Sequence, residues 1–355
     1  MFELMAKKPA IWLSGEGSNS QIVLSSRVRL ARNIVNSPFP SRSDADSREK
    51  IISFVRGAVE KSPILNKGII VNCAELDELD RTFLVERHLI SLEFTSCREF
   101  SGLLIGEMEN TSVMINEEDH LRIQALASGL EIQTAYRLAN QVDDELSKSL
   151  EYAFDSTFGY LTSCPTNTGT GMRASVLIHL PGLVLTREIE KVIPQINKLG
   201  LVVRGFYGEG SDVMGNLFQI SNQTTLGRSE EDIVESLERV TRQIIEYEEN
   251  ARKRLFGEAK DQIEDKIWRA YGILKYARTL TSEEALNMLS AIRLGIGMEV
   301  IKTINLSRIN EILALTQPAH LQKYFDQKME VGERDRIRAD LIRSKLTQPA
   351  AEIGT

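Results

Sequence analysis

The pattern of apolar residues changes once along this chain, near residue 228, and that change limits its folds more than any other feature. Before it, short apolar runs alternate with helical patterns. Strands are expected over residues 68–72, 102–105, 112–116, 175–180, 201–203 and 217–220, and helices over 46–61, 117–127, 133–155 and 187–199. The strand candidates lie close together, some at hairpin distance, which favours an antiparallel or mixed sheet flanked by helices. After residue 228, β-like alternation all but disappears. Ser229 followed by Glu230, Glu231 and Asp232 is a helix start, and a long amphipathic helix to about Leu255 should follow. Thr281 and Glu284 stand at capping-box spacing. The expected class is α+β, with a flexible arm over 1–20, a sheet-containing domain over 21–256 and an all-helical domain over 257–355. The tail from Gln348 reads as unstructured.

At 355 residues the chain is long enough for two cores, and its 42% apolar and 26% charged content is that of a soluble globular protein. Its apolar runs are too short to span a bilayer. Residues 1–9 lack the basic start, apolar core and cleavage site of a signal peptide. Cys73, Cys97 and Cys164 are odd in number and form no CxxC pair, which argues for reduced thiols in a cytoplasm. Four scattered histidines give no structural metal site. A net charge of −7 speaks against direct nucleic-acid binding.

The residues with most chemical content lie in turns and at strand ends. The run 164–175, CPTNTGTGMRAS, sets a thiol, a turn and Arg173 between two strand-like segments. Such a turn exposes backbone N–H groups and, with an arginine beside them, suits a polyanion. No Gly-Lys-Ser/Thr follows, so it is not a Walker loop. Four further segments share its character: 24–33, where Arg27 and Arg29 alternate on one strand face; 116–122, with three acids, His120 and Arg122; 204–209, opening on Arg204; and 220–227. Taken singly, each arginine is a surface ion-pair partner. Arg27, Arg29, Arg122, Arg173 and Arg204 brought to one crevice would need an anion, and a triphosphate matches their forked geometry.

These segments resemble the phosphagen (guanidino) kinase family, through NEEDHxR, CPxNxGTGxRAS, RGxxGE and the ISN…LG close, over about residues 21–256. The resemblance implies an ATP:guanido phosphotransferase catalytic domain. It implies an ATP site formed by Arg27, Arg29, Arg122, Arg173 and Arg204, with His88 as a looser match, and a guanidinium clamp from Glu118 and Glu209 with Cys164 against the same group. The chemistry suits the residues independently. A guanidinium is protonated at neutral pH, with a pKa above ~12, and is a poor nucleophile. Two carboxylates can hold it and one can take its proton, while a thiolate beside the cation would be stabilised. Which of Glu118 and Glu209 is the base stays open. Mg2+ should ride mainly on the nucleotide phosphates, because no carboxylate cluster forms a cage.

Family members that act on small guanidines carry a helical domain ahead of the SSRVRLAR-like segment, which begins here at Ser25. That departure, and the helical region after residue 256, resemble the bacterial protein-arginine kinase branch, as do VLSSRVRLARN, VERHLIS and LVVRGFYGEGS. In 333–339, Arg334, Asp335 and Arg338 resemble that branch's RDxxRA motif, which implies an allosteric phosphoarginine-binding site. The resemblance further implies protein substrates, marking for a Clp-type unfoldase/protease, a role in stress response through a heat-shock repressor, and a zinc-binding activator protein. A small-guanidine kinase and a phosphoarginine-binding adaptor are the alternatives. Apolar residues such as Leu286, Leu289 and Ile292 are compatible with a homodimer through the C-terminal domain, and equally with a monomer that packs them internally.

Overall fold

The computed structural model describes residues 1–96, 99–205 and 214–347; the tail from Gln348 lies outside the described residues. The chain begins α1 (Phe2–Ala6), β1 (Val23–Arg32), α2 (Ala45–Lys61), β2 (Ile69–Asn72), α3 (Glu78–Glu86), β3 (Gly102–Ile105), β4 (Thr111–Ile115), β5 (Leu121–Ser128) and α4 (Ile132–Ser147). It continues with β6 (Phe154–Asp155), β7 (Gly159–Tyr160), β8 (Met172–His179), α5 (Pro181–Leu185), α6 (Ile189–Lys198), β9 (Leu201–Arg204) and β10 (Leu217–Asn222). Helices α7 (Glu230–Glu258), α8 (Lys260–Tyr276), α9 (Ser282–Gly297), α10 (Leu306–Leu315), α11 (Pro318–Phe325) and α12 (Val331–Thr347) follow. Ser229 and Asp232 cap α7 reciprocally, and the Thr281 side chain accepts from the Glu284 amide at the start of α9.

Among the described residues, eight strands form one sheet in the order β2-β3-β4-β5-β1-β8-β10-β9, and every neighbouring pair is antiparallel. Strand alternation, with one shift in β1 between Val23 and Ser25, sorts its residues between the two faces. On one face Val28, Leu30, Ile123, Ala125, Ala174, Val176 and Ile220 are buried with Val55 of α2, Ala139 of α4 and Leu237 of α7 in the main core. The opposite face is divided. At one end Leu24, Leu126, Leu177 and Leu217 join Ile292 and Ile309 of the C-terminal helices in a second core. Towards the other end the same face carries Arg27, Arg29, Arg173 and Gln219. The helical region thus covers only the leucine end of this face and leaves the arginine end open.

Three expectations change. The helix expected over 117–127 is a turn followed by strand β5. Its Glu, Ala and Leu favour helix locally, but β1 and β4 pair with it on both sides and override that preference. The helix expected over 133–155 ends at Ser147, and Phe154–Asp155 instead pairs with Gly159–Tyr160. The first twenty residues, read as a flexible arm, are laid against the body. Phe2, Met5, Trp12 and Leu13 are buried, and Asn310 donates to the Leu13 carbonyl at 3.0 Å.

Candidate active site

Sheet register brings the arginines together. Arg29 stands opposite Gln124 of β5 on one side and Arg173 of β8 on the other, while Arg27 stands between Leu126 and Ser175. Arg122 opposes Ala31, and Arg204 of β9 opposes Gln219 of β10. Directly opposed residues on antiparallel strands point to the same face. Arg27, Arg29, Arg122, Arg173, Arg204 and His88 therefore line one polar cavity. Arg27 donates to Gln219 Oε1 at 2.7 Å, and Arg122 to Glu117 Oε2 at 2.7 Å. The Nε and Nη2 atoms of Arg29 are buried without a hydrogen-bond partner. Burial and the charges of Arg27, Arg122 and Arg173 push the Arg29 guanidinium well below its usual range. Burial with Arg122 and Arg173 lowers Arg27 to about 10. At Arg122 burial is the largest single influence and opposes the charge, but Glu117, with Glu93 and Glu118, outweighs it and the pKa is raised.

His88 follows α3 in the left-handed region, with φ +58. Trp12 holds that bend: its Nε1 donates to the Arg87 carbonyl at 3.2 Å, and its ring lies 4.6 Å from the imidazole. Gln124 Nε2 donates to the His88 carbonyl at 2.7 Å, tying the segment to the sheet row that carries Arg29. Burial, with Arg27 and Arg29 nearby, lowers His88 to about 3, so the imidazole is neutral near pH 7.

A second cavity, of about 750 Å³, shares Arg29, Arg122, Arg173 and Arg204 with the first and adds Glu118 and Cys164. Glu118 sits on the turn between β4 and β5, which is locked from beneath. Asp119 Oδ1 accepts from Asn33 Nδ2 at 2.6 Å and from the Ser163 amide at 2.7 Å. His120 Nδ1 accepts from the Ile34 amide at 3.0 Å, which leaves Nε2 to donate to the Pro38 carbonyl at 2.9 Å. Desolvation and the neighbouring Asp119 raise the Glu118 carboxyl above its usual range.

Cys164 begins the loop to β8, with Sγ 3.0 Å from Thr166 Oγ1. Thr225 Oγ1 lies 2.9 and 2.7 Å from the carbonyls of Thr166 and Thr168. The loop closes on buried Arg32, which donates to the Thr170 carbonyl at 2.9 Å, pairs with Asp143 at 2.8 Å and lies 3.6 Å from the centroid of the Tyr160 ring. Gly171, with φ +65, is required there, since a Cβ would meet the Ala31 carbonyl oxygen at 2.6 Å.

Of the site residues named from sequence, Arg27, Arg29, His88, Arg122, Arg173, Arg204, Glu118 and Cys164 line these two adjoining cavities, and Glu209 lies outside the described residues. Arg334, Asp335 and Arg338 are elsewhere, on α12. Arg338 is buried and donates to the carbonyls of Thr316 and Leu280, each at 2.8 Å, and to Asp335. Glu86, at the end of α3, accepts from the Ala319 amide at 2.9 Å and the His320 amide at 2.6 Å, fastening α11 to the helix that leads into His88. Gln124, Gln219, Arg32 and Asn33 escaped the sequence reading. Gln124 follows Arg122 by two residues and shares its strand face, a relation hidden by the expectation of a helix over 117–127.

The cavity chemistry fits a polyphosphate: guanidinium atoms buried without partners are satisfied by anionic oxygens. Among the described residues no group of three His, Cys, Asp or Glu side chains is placed to hold a metal ion. No helix of the described residues is long and apolar enough to cross a membrane.

Comparison with known proteins agrees with this geometry. Residues 50–251 match the ATP:guanido phosphotransferase C-terminal catalytic domain, and residues 260–353 match the protein-arginine kinase McsB C-terminal domain. The chain is 47% identical to the protein-arginine kinase of Symbiobacterium thermophilum over 97% of its length and 99% of that protein. It is 48% identical to the protein-arginine kinase of Bacillus subtilis (strain 168), over 94% of its length and 93% of that protein. Among solved structures it resembles lombricine kinase, with a TM-score of 0.59 at 23% identity over 67% of this chain and 69% of that one. It also resembles the duplicated taurocyamine kinase of Schistosoma mansoni with bound transition state analogue components, with a TM-score of 0.60 at 25% identity over 75% of this chain and 38% of that one. Sheet, helical region and full-length sequence similarity together place the chain in the ATP:guanido phosphotransferase family, in its protein-arginine kinase branch.

Proposed function

We propose that this protein transfers the γ-phosphoryl group of ATP to arginine side chains of proteins. The observation that carries the proposal is the pair of adjoining cavities, one walled by five arginines, the other bringing Glu118 and Cys164 to the same arginines. Arg27, Arg29, Arg122, Arg173 and Arg204 hold the triphosphate and the charge that spreads over its oxygens during transfer. Glu118, with Glu209, orients the acceptor guanidinium. One of these carboxylates takes a proton from the attacking nitrogen as the N–P bond forms and the bond from the γ-phosphorus to the bridging oxygen breaks, releasing ADP. A raised Glu118 carboxyl is a better proton acceptor than an ordinary one. Cys164 faces the same guanidinium. Mg2+, bound through the phosphates, supplies charge neutralisation there.

The finer reading follows family resemblance. Arg334, Asp335 and Arg338 bind phosphoarginine and regulate activity, the modified proteins are marked for a Clp-type protease in the cytoplasm, and the kinase also acts on a heat-shock repressor. Arg338 already donates three hydrogen bonds, so its replacement would also disturb folding; half-buried Arg334 is the cleaner residue to vary. The decisive assay offers Mg-ATP with an arginine-rich unfolded protein and, separately, free L-arginine, using Glu118→Gln as control. Acid-labile label on protein, reduced about 100-fold or more in the variant, is expected. Label on free arginine alone would identify a small-guanidine kinase instead.

A further inference from the structure

Beyond the acceptor cavity lies a third recess, of about 650 Å³, which shares Glu117 and Glu118 with it and runs on to Ser41, Arg48, Glu99 and Asn116. Its wall contains polar groups that the fold leaves unsatisfied. Asn116 is only 3% exposed; its Nδ2 donates to the carbonyls of Arg48 at 2.9 Å and Phe100 at 2.7 Å, yet its Oδ1 has no partner. Ser163 Oγ, on the same wall, is also without one. Unpaired buried polar atoms are uncommon in folded proteins and mark places where another molecule completes the hydrogen bonding.

Charged side chains line the recess as well. Arg48 directs its guanidinium to Ser43 Oγ at 3.0 Å and the Pro40 carbonyl at 2.7 Å, held against the α2 end of the recess. Glu117 is neutralised by Arg122. Glu99 and Glu118, both exposed, are the carboxylates that a ligand meets there, beside the Arg48 guanidinium. An extended polypeptide brings backbone N–H groups for the unpaired oxygens, and a cationic side chain complements the carboxylates.

We propose that this recess is the subsite for the polypeptide flanking the target arginine, and that Glu99 makes it favour a lysine or arginine next to the residue being phosphorylated. The inference rests on the protein-arginine kinase reading, because it needs an acceptor that is part of a longer chain. It assigns Glu99 a part in substrate selection and none in the transfer step.

The test uses the full chain and fluorescein-labelled peptides with a single arginine, flanked on either side by lysine or by glutamate. Binding is read by anisotropy, and transfer is read separately from Mg-ATP. The lysine-flanked peptide should bind about fivefold more tightly than the glutamate-flanked one, the size of a partly exposed ion pair. Glu99→Lys should abolish or invert that preference and leave the KM for free L-arginine unchanged. Equal binding of the two peptides by the parent protein, or the same preference in Glu99→Lys, would overturn the subsite. A KM for free arginine raised as much as that for peptide would also overturn it, by placing Glu99 at the acceptor itself. Charge-dependent binding with no transfer to any peptide would uphold the recess and count against the kinase reading alone.

Discussion

Arg29 shows at the level of one side chain how the cavity is poised for an anion. Two of its guanidinium nitrogens are buried without partners, and Arg27, Arg122 and Arg173 all lower its pKa. Without a nucleotide this is an unfavourable arrangement, since a buried donor left unpaired costs about 1–3 kcal/mol and like charges add to it. Arg29→Met should therefore raise the melting temperature of the protein alone, remove most of the stabilisation that Mg-ATP confers, and lower transfer by about 100- to 1,000-fold. Thermal unfolding with and without nucleotide reads both effects. A variant that melts lower than the parent without nucleotide would show that Arg29 stabilises the empty fold, against this account. Arg122 differs in kind, because Glu117 already balances it.

Among the elements, the loop from β7 to β8 depends on one buried residue of β1. Arg32 joins Asp143 of α4, the Thr170 carbonyl and the Tyr160 ring, and so clamps the loop that carries Cys164 and leads into Arg173. Arg32→Met leaves Asp143 without that partner in a largely buried setting and should destabilise the protein by about 3–5 kcal/mol, read from urea unfolding. It should also speed amide exchange of residues 164–171. Exchange in that loop unchanged while stability falls would separate Arg32 from the loop. The sequence named this loop from its glycines and arginine but gave Arg32 no role in it. Alternation along the strand already separates Arg32 from Arg27 and Arg29, but its partners in α4 and the loop come only from the tertiary register. Strand β5 makes the same point in reverse: Arg122 lines the cavity with the other named arginines although a helix is expected for its segment, since the residue types carry the chemistry and the pairing partners set the conformation.

For the molecule as a whole, the helical region and the N-terminal residues build one end of the site without entering it. Trp12 belongs to the second core with Ile292 and Ile309, yet its ring rests on His88 and its indole N–H holds the Arg87 carbonyl. Trp12→Ala should cost about 3–5 kcal/mol of stability and raise the KM for ATP more than that for the acceptor. A steady-state comparison of the two constants at a temperature where the variant remains folded checks this, and equal changes in both would count against it. Glu86 forms a second bridge, from α3 to the first amides of α11.

The sequence by itself determined the class of fold, the break between sheet and helices, and the residue types in the arginine and carboxylate segments. Those features reside in short windows, in periodicity, capping and the demands of phosphate and guanidinium chemistry. Tertiary structure alone decided that the sheet is antiparallel throughout and that residues 121–128 are a strand. It alone also decided that residues 1–20 pack against the body and that the guanidinium of Arg338 is engaged with backbone carbonyls. Each of those outcomes depends on partners far away in the chain, and a partner that distant leaves no trace in local periodicity.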